Sequence, residues 1–334
     1  MLMGRLLPLS IFVVSGCIFV TLTAFPSVTG SGSVLIANKG EHTLGIIDPH
    51  AGRQIAVIAE TGVTGHEVAA SPDGKLAFVP IYGDSGVGLP GTDGRSLDVI
   101  DLHARRILHT IDFGQGIRPH CPVFGPKDGL LYVTTELDKA VAIIDPRTFK
   151  IVGKIPTGQP ESHMLAIAPD GQRGYTANVG PGTVSVLDMV ARKTVAIIPV
   201  ATHVQRISVS PDGRWVFTSD TEKPRLAVID TSTNKLDRWI PLPATGYGSA
   251  FRAGGKQLLV ALPGANSVAV IDTAAMQVEK TIAVPSSPQE VLVSPDDVAF
   301  VSCDQSAKVA AISPQGSVKL IDAGRVADGL AWAK

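Results

Sequence analysis

The chain has 334 residues, 45% hydrophobic but only 5% aromatic, with 34 Gly and 24 Pro. That mix suits many short, turn-linked strands and argues against a bundle of long helices. A formal net charge of −1, with basic residues scattered along the chain, gives no reason to expect a nucleic-acid partner.

Residues 1–30 differ in kind from the rest. Arg5 precedes an apolar run from Leu6 to Val14, and small residues follow, which is the layout of a secretory signal. Val14-Ser15-Gly16-Cys17 also fits a lipobox, in which Cys17 would carry the lipid. Ile18-Phe19-Val20 prolongs the apolar run past Cys17, so lipidation, cleavage near Ala24 or Gly30, and an uncleaved anchor all remain open. Each places residues 31–334 outside the cytoplasm, periplasmic or secreted, with membrane contact only through the N-terminal segment.

From there one unit repeats at about forty residues, a period typical of stacked solenoids and propellers. Its strand ends are Ile47-Asp48, Ile100-Asp101, Ile144-Asp145, Leu187-Asp188, Ile229-Asp230, Ile271-Asp272 and the degenerate Ile312-Ser313. The copy beginning near Glu161 predicts four strands, the first two joined by Pro169-Asp170-Gly171. Pro presets φ for that turn, Asp bonds its own backbone, and Gly accepts positive φ. Four antiparallel strands per unit make a propeller blade. The first copy lacks an inner strand, whereas Val326 to Ala333 reads as a lone inner strand. One C-terminal strand is therefore expected to complete three N-terminal ones, closing a single all-β, seven-bladed domain over 31–334 and removing exposed sheet edges.

Tyr132-Val-Thr-Thr, Ser208-Val-Ser-Pro-Asp-Gly, Val228-Ile-Asp-Thr-Ser-Thr-Asn-Lys and Val270-Ile-Asp-Thr-Ala resemble the YVTN-repeat propellers. That family, akin to WD40-like repeats, includes YncE-like and surface-layer proteins and, more remotely, the haem domain of cytochrome cd-type nitrite reductases. The resemblance implies an extracytoplasmic propeller. It carries little about activity, because propellers host unrelated chemistries.

Function has to be read where the copies differ. At the start of successive inner strands stand His66, His120, His163, Gln205, Tyr247, Gln289 and Asp328. Equivalent positions in a ring converge on its axis, so three imidazoles could hold Cu, Zn or Fe, with Glu67, Glu161 or Asp328 nearby. The plainer reading is that each His hydrogen-bonds loops around the channel mouth. Haem is less favoured, since no Cys-x-x-Cys-His attachment motif occurs.

One insertion, residues 82–95, falls beside His66 and His120 and offers Tyr82, Asp84 and Arg95 as contacts. Arg118 and Arg206 approach the same face, and a mixed polar rim suits a small polar ligand. Cys121 could be a thiolate ligand or a small buried hydrophobe. A disulfide between Cys121 and Cys303, in units four apart, is not expected, because bridged Cα atoms lie within about 7 Å. His42 is expected at the periphery.

Two functions compete. One is a monomeric envelope scaffold that holds a small polar ligand or an envelope protein. The other is a metal-dependent oxidoreductase, or a lactonase- or lyase-type enzyme, at the channel mouth.

Overall fold

A computed structural model describes residues 32–334. The expected signal or lipoprotein segment, with Cys17, lies outside the described residues. No helix among the described residues is long and apolar enough to cross a membrane.

Among the described residues the chain forms seven four-stranded antiparallel sheets. Blade 1 is composite: strand Ala327–Ala333 pairs with Ser33–Asn38, followed by Thr43–Asp48 and Arg53–Ala59. Leu35 faces Ala331 and Ser33 faces Ala333 across that seam. Blades 2 to 7 span 69–112, 119–156, 162–199, 204–241, 249–283 and 288–322. The closure predicted from the missing first strand is thus present.

The repeat signature has direct structural causes. In blade 4, Gly171 adopts a φ of +72°, and Asp170 accepts the Gln172 amide at 2.9 Å, which closes the turn between the first two strands. At the ends of the third strands, Asp48, Asp101, Asp145, Asp188, Asp230 and Asp272 each accept backbone amides of the next turn. These are Asx turns, which a short carboxylate side chain supports. Ser313 does the same work more weakly, its hydroxyl accepting the Ser317 amide at 3.0 Å.

Packing follows the alternation of a strand. Along the outer strand Lys193–Pro199 exposed and covered residues alternate. The second and third strands are buried on both faces because they lie between neighbouring blades. Tyr175, Phe217 and Phe300 are among the largest fully buried side chains. Cys121 and Cys303 are both free thiols.

The inner strands carry the feature that builds the site. Arg118, Glu161, Ser287 and Val326 immediately precede the inner strands of blades 3, 4, 7 and 1, and all adopt φ between +51° and +57°. Such left-handed residues are uncommon outside glycine. Register shifts follow within the first residues of the strand, between Pro119 and Pro122, Ser162 and Met164, and Pro288 and Val291. A bulge of this kind re-aims a side chain. In blades 3 and 4 the second inner-strand residue, His120 and His163, lines the axial opening, whereas in blade 7 Gln289 does not.

Candidate functional site at the channel mouth

A cavity of about 500 Å³ opens at the axis, lined by His66, His120, His163, Gln205, Arg206, Tyr247 and Asp328 together with Lys39, His42 and part of the insertion. The structure therefore brings together eight of the residues singled out from sequence: His66, Asp84, His120, His163, Gln205, Arg206, Tyr247 and Asp328. His42, expected at the periphery, lines the opening instead.

The histidine side is a ring-on-ring stack. The ring centres of His120 and His163 lie 3.6 Å apart, stacked with a 29° tilt, while His66 meets His120 edge-on at 5.4 Å. Their backbones are pinned by Thr134 of the Tyr-Val-Thr-Thr strand, whose hydroxyl accepts the Cys121 amide at 2.9 Å and donates to the His163 carbonyl at 2.7 Å. Burial lowers all three imidazoles, His66 to about 3, with Lys39 and Arg206 adding to the effect. At neutral pH they are uncharged. The Nδ1 atoms of His120 and His163 are buried without a hydrogen-bond partner. His163 Nδ1 stands 3.9 Å from Glu136 Oε2, beyond hydrogen-bonding reach.

The opposite side is a closed ionic cluster. Arg206 Nη1 donates to Glu67 and to Glu290, each at 2.5 Å, and Nη2 donates to Asp328 at 3.0 Å. Lys39 Nζ adds a contact to Asp328 at 3.1 Å, and the guanidinium carbon lies 4.7 Å from the Tyr247 ring centre. One guanidinium from blade 5 thus ties the inner segments of blades 1, 2 and 7. Burial pushes Glu67 up to about 8, against the pull of Arg206 and with the help of Glu290 and Asp328. Burial also raises Glu290, whereas Lys39 and Arg206 overcome burial at Asp328 and hold its carboxyl below the ordinary range. At neutral pH Glu67 keeps its proton and Asp328 is ionised.

Five expected contacts are placed elsewhere. Tyr82 is fully buried behind His66, ring centres 4.6 Å apart, and its hydroxyl donates to Glu136. Burial first, then Glu136, raises that phenol strongly, so it is a fixed donor within the wall. Arg95 is exposed and pairs with Asp112 at 2.8 Å, away from the cavity. Arg118 is buried and grips the insertion through Asp93 at 2.6 Å and the Leu89 carbonyl at 2.7 Å. Glu67 is committed to Arg206. Gln289 donates to the Ser287 hydroxyl at 2.9 Å and does not line the opening. The insertion itself does flank the mouth, contributing residues 83–87 to the lining.

The metal reading meets a geometric obstacle. His120 and His163 pack face against face at 3.6 Å with a 29° tilt, and the buried Nδ1 of each points to no shared ligand group. Among the described residues, no three His, Cys, Asp or Glu are placed as a ligand set. Cys121 offers no thiolate: burial pushes it up to about 12, and its Sγ faces the Leu165 carbonyl.

Sequence reasoning missed Lys39, Ser85 and Glu290. The signal for Glu290 was present one position after the histidine column, where Glu67, Arg206 and Glu290 stand out among Cys121, Met164, Gly248 and Gly329. Lys39 follows a second strand and has no counterpart in the column, so nothing in the repeat marked it.

The profile of the family described as cytochrome D1 heme domain matches residues 125–253. The seven-bladed beta-propeller protein Rv1057 of Mycobacterium tuberculosis is 28% identical over 137 residues, which is 40% of this chain and 32% of that protein. The chain thus spans about a third of the length of this curated relative. Among solved structures, hydrazine synthase of Kuenenia stuttgartiensis superposes with a TM-score of 0.69, covering 87% of this chain and 92% of that one. At 18% identity the likeness concerns the fold alone. These matches fit the seven-bladed propeller family.

The haem relation of that propeller is remote. Residues 125–253 include His163, Arg206 and Tyr247 but neither His66 nor His120. The mouth does not fit a haem: its imidazoles pack against one another and against Tyr82, and charged side chains line the opening in place of a flat apolar slot.

Proposed function

We propose that this propeller is an exported or envelope-anchored binding protein that holds a small polar ligand at the channel mouth. The observation that carries the reading is the pair of buried, unpartnered Nδ1 atoms on His120 and His163 at the edge of a cavity of about 500 Å³. A buried polar atom without a partner costs about 1–3 kcal/mol, and a scaffold with no ligand to hold has no reason to keep two of them side by side. The volume lies in the range of small-molecule pockets. Export is supported by Arg5 and the apolar run that follows it.

Native mass spectrometry of the protein taken from its own envelope fraction tests this. A co-purifying small molecule that is lost in a His66→Gln, His120→Gln, His163→Gln variant of unchanged fold is expected. The same mass retained in that variant overturns the reading.

A second reading, an enzyme at the same opening, is favoured by the cytochrome D1 profile match and by the uncharged imidazoles, the form in which histidine accepts a proton. Turnover abolished by His66→Gln with ligand affinity retained would select it.

A further inference from the structure

The class of ligand can be read from the polarity of the atoms left without partners, an inference that rests on the channel-mouth reading above. Four lining side chains carry such an atom: Ser85 Oγ, His120 Nδ1, His163 Nδ1 and Arg206 Nε. Ser85 comes from the insertion, which Arg118 and Glu136 hold rigidly through the Leu89 carbonyl and the Gly88 amide. A guanidinium Nε–H only donates, a hydroxyl can donate, and a neutral imidazole donates from one of its nitrogens. Lys39 Nζ brings three donors and spends one on Asp328. The lining carboxylates are already engaged, Asp328 by Arg206 and Lys39 and Asp84 by the Thr92 amide and hydroxyl, so Arg206 Nε and the two free Lys39 hydrogens are donors with no acceptor to meet.

Charge agrees with that count. Lys39 and Arg206 both act on the imidazoles as nearby positive charge, disfavouring a further proton and equally a metal cation. Behind them stand Glu67, Glu290 and Asp328, and Asp84 lies at the rim, so no positive charge is left over for a dianion. Val63, Val87 and Val326 complete the lining and offer an apolar surface that a bare inorganic ion would not use.

We infer that the mouth takes a small organic molecule bearing one carboxylate, its oxygens set between Lys39 and Arg206 on one side and the His120–His163 pair on the other, its carbon frame toward Val63, Val87 and Val326. The unpartnered atoms are sealed from solvent, so the ligand engages them as the side chains turn about their terminal torsions, which are broad for imidazole. Ser85 supplies the remaining donor.

The test uses the full chain with isotope-labelled histidine, titrated separately with pyruvate, benzoate, inorganic phosphate and Zn²⁺ while the ring resonances are followed. At least one carboxylate is expected to shift His120 and His163 saturably, about tenfold more tightly than phosphate, and Lys39→Met is expected to weaken it about tenfold, the scale of one charge-assisted hydrogen bond. Rings unmoved by both carboxylates overturn the inference, as do phosphate binding as tightly as the carboxylates and an unchanged affinity in Lys39→Met. Zn²⁺ shifting all three rings while the carboxylates do not overturns it as well, yet leaves a ligand at the mouth, so the broader reading survives. That broader reading falls only on the mass-spectrometric result.

Discussion

The two halves of the channel mouth are built from adjacent positions of one repeat, yet they treat polarity in different ways. Across blades 5, 7, 1 and 2, Arg206 satisfies three carboxylates at once. Across blades 2, 3 and 4, neutral imidazoles stack with two nitrogens left over. A satisfied network rigidifies, whereas an unsatisfied one costs stability and is kept for another reason. The ionic half closes the ring and keeps only Arg206 Nε without a partner, whereas the histidine half keeps two nitrogens.

The largest test of this division removes the clasp. Arg206→Met leaves Glu67, Glu290 and Asp328 buried without their common partner, and the loss of one member of a buried ion pair costs about 3–5 kcal/mol. Denaturant unfolding should show that loss, and adding Glu67→Gln and Asp328→Asn should recover part of it. A loss near zero would mean that the cluster contributes nothing to closure.

A steric counterpart comes next. The Gly329 amide donates to the His66 carbonyl at 2.9 Å, and a Cβ on Gly329 would meet that oxygen at 2.5 Å and Glu67 Cα at 2.6 Å. Blade 1 and blade 2 touch backbone to backbone at this point. Gly329→Ala should therefore cost about 1–3 kcal/mol, the range of overpacking, read from the same unfolding curves.

The halves should also separate by pH. His66, His120 and His163 have folded pKa values below the ordinary 6.5. The unfolded chain then binds more protons below pH 6.5, so their contribution is present above it and is lost as pH falls toward about 3. Glu60 and Glu67 are raised, chiefly by burial, to about 7 and about 8. Their contribution is full below the unfolded value of 4.5 and is lost as pH rises through 7 and 8. Stability should peak in weak acid. The triple His→Gln variant should flatten the acid limb and leave the alkaline limb unchanged, as thermal melts from pH 3 to 9 would show. An alkaline limb that vanished with the histidines would contradict the assignment of the two limbs to separate halves.

A smaller effect has the opposite sign. His163→Leu removes a sealed, unpartnered nitrogen and should raise stability by about 1 kcal/mol while abolishing the ring response to a carboxylate. A destabilised variant would show that the nitrogen has a partner after all.

The fold was legible because its signals are local. Asp at each strand end and Gly in each Pro-Asp-Gly turn are demanded by backbone geometry, and the lone inner strand at Val326 announced the closure. The site was legible only as a column of positions. That His66, His120 and His163 reach one opening follows from ring symmetry, but their stacking depends on bulges set by left-handed Arg118 and Glu161, which no residue type advertises. Tyr82 looked like a ligand contact because an insertion follows it. Its burial depends on Glu136, fifty-four positions away, and pairings at that separation leave no periodic trace.

The two arginines nearest the insertion give the finest comparison and the smallest expected effect. Both were expected at the mouth. Arg118 sits on a left-handed residue before an inner strand and is driven inward, where its guanidinium meets Asp93, Glu136 and two loop carbonyls. Arg95 lies on the insertion's return strand, points to solvent, and finds Asp112 of the same blade. An exposed pair of this kind is screened by water and salt. Arg95→Ala should accordingly leave the melting midpoint and the histidine ring resonances where they are, while Arg118→Leu should loosen amide-exchange protection at Gly88 and move the His120 and His163 rings through Glu136. If Arg95→Ala moved those rings instead, the outer edge of the insertion, and not its buried root, would be the part that shapes the cavity.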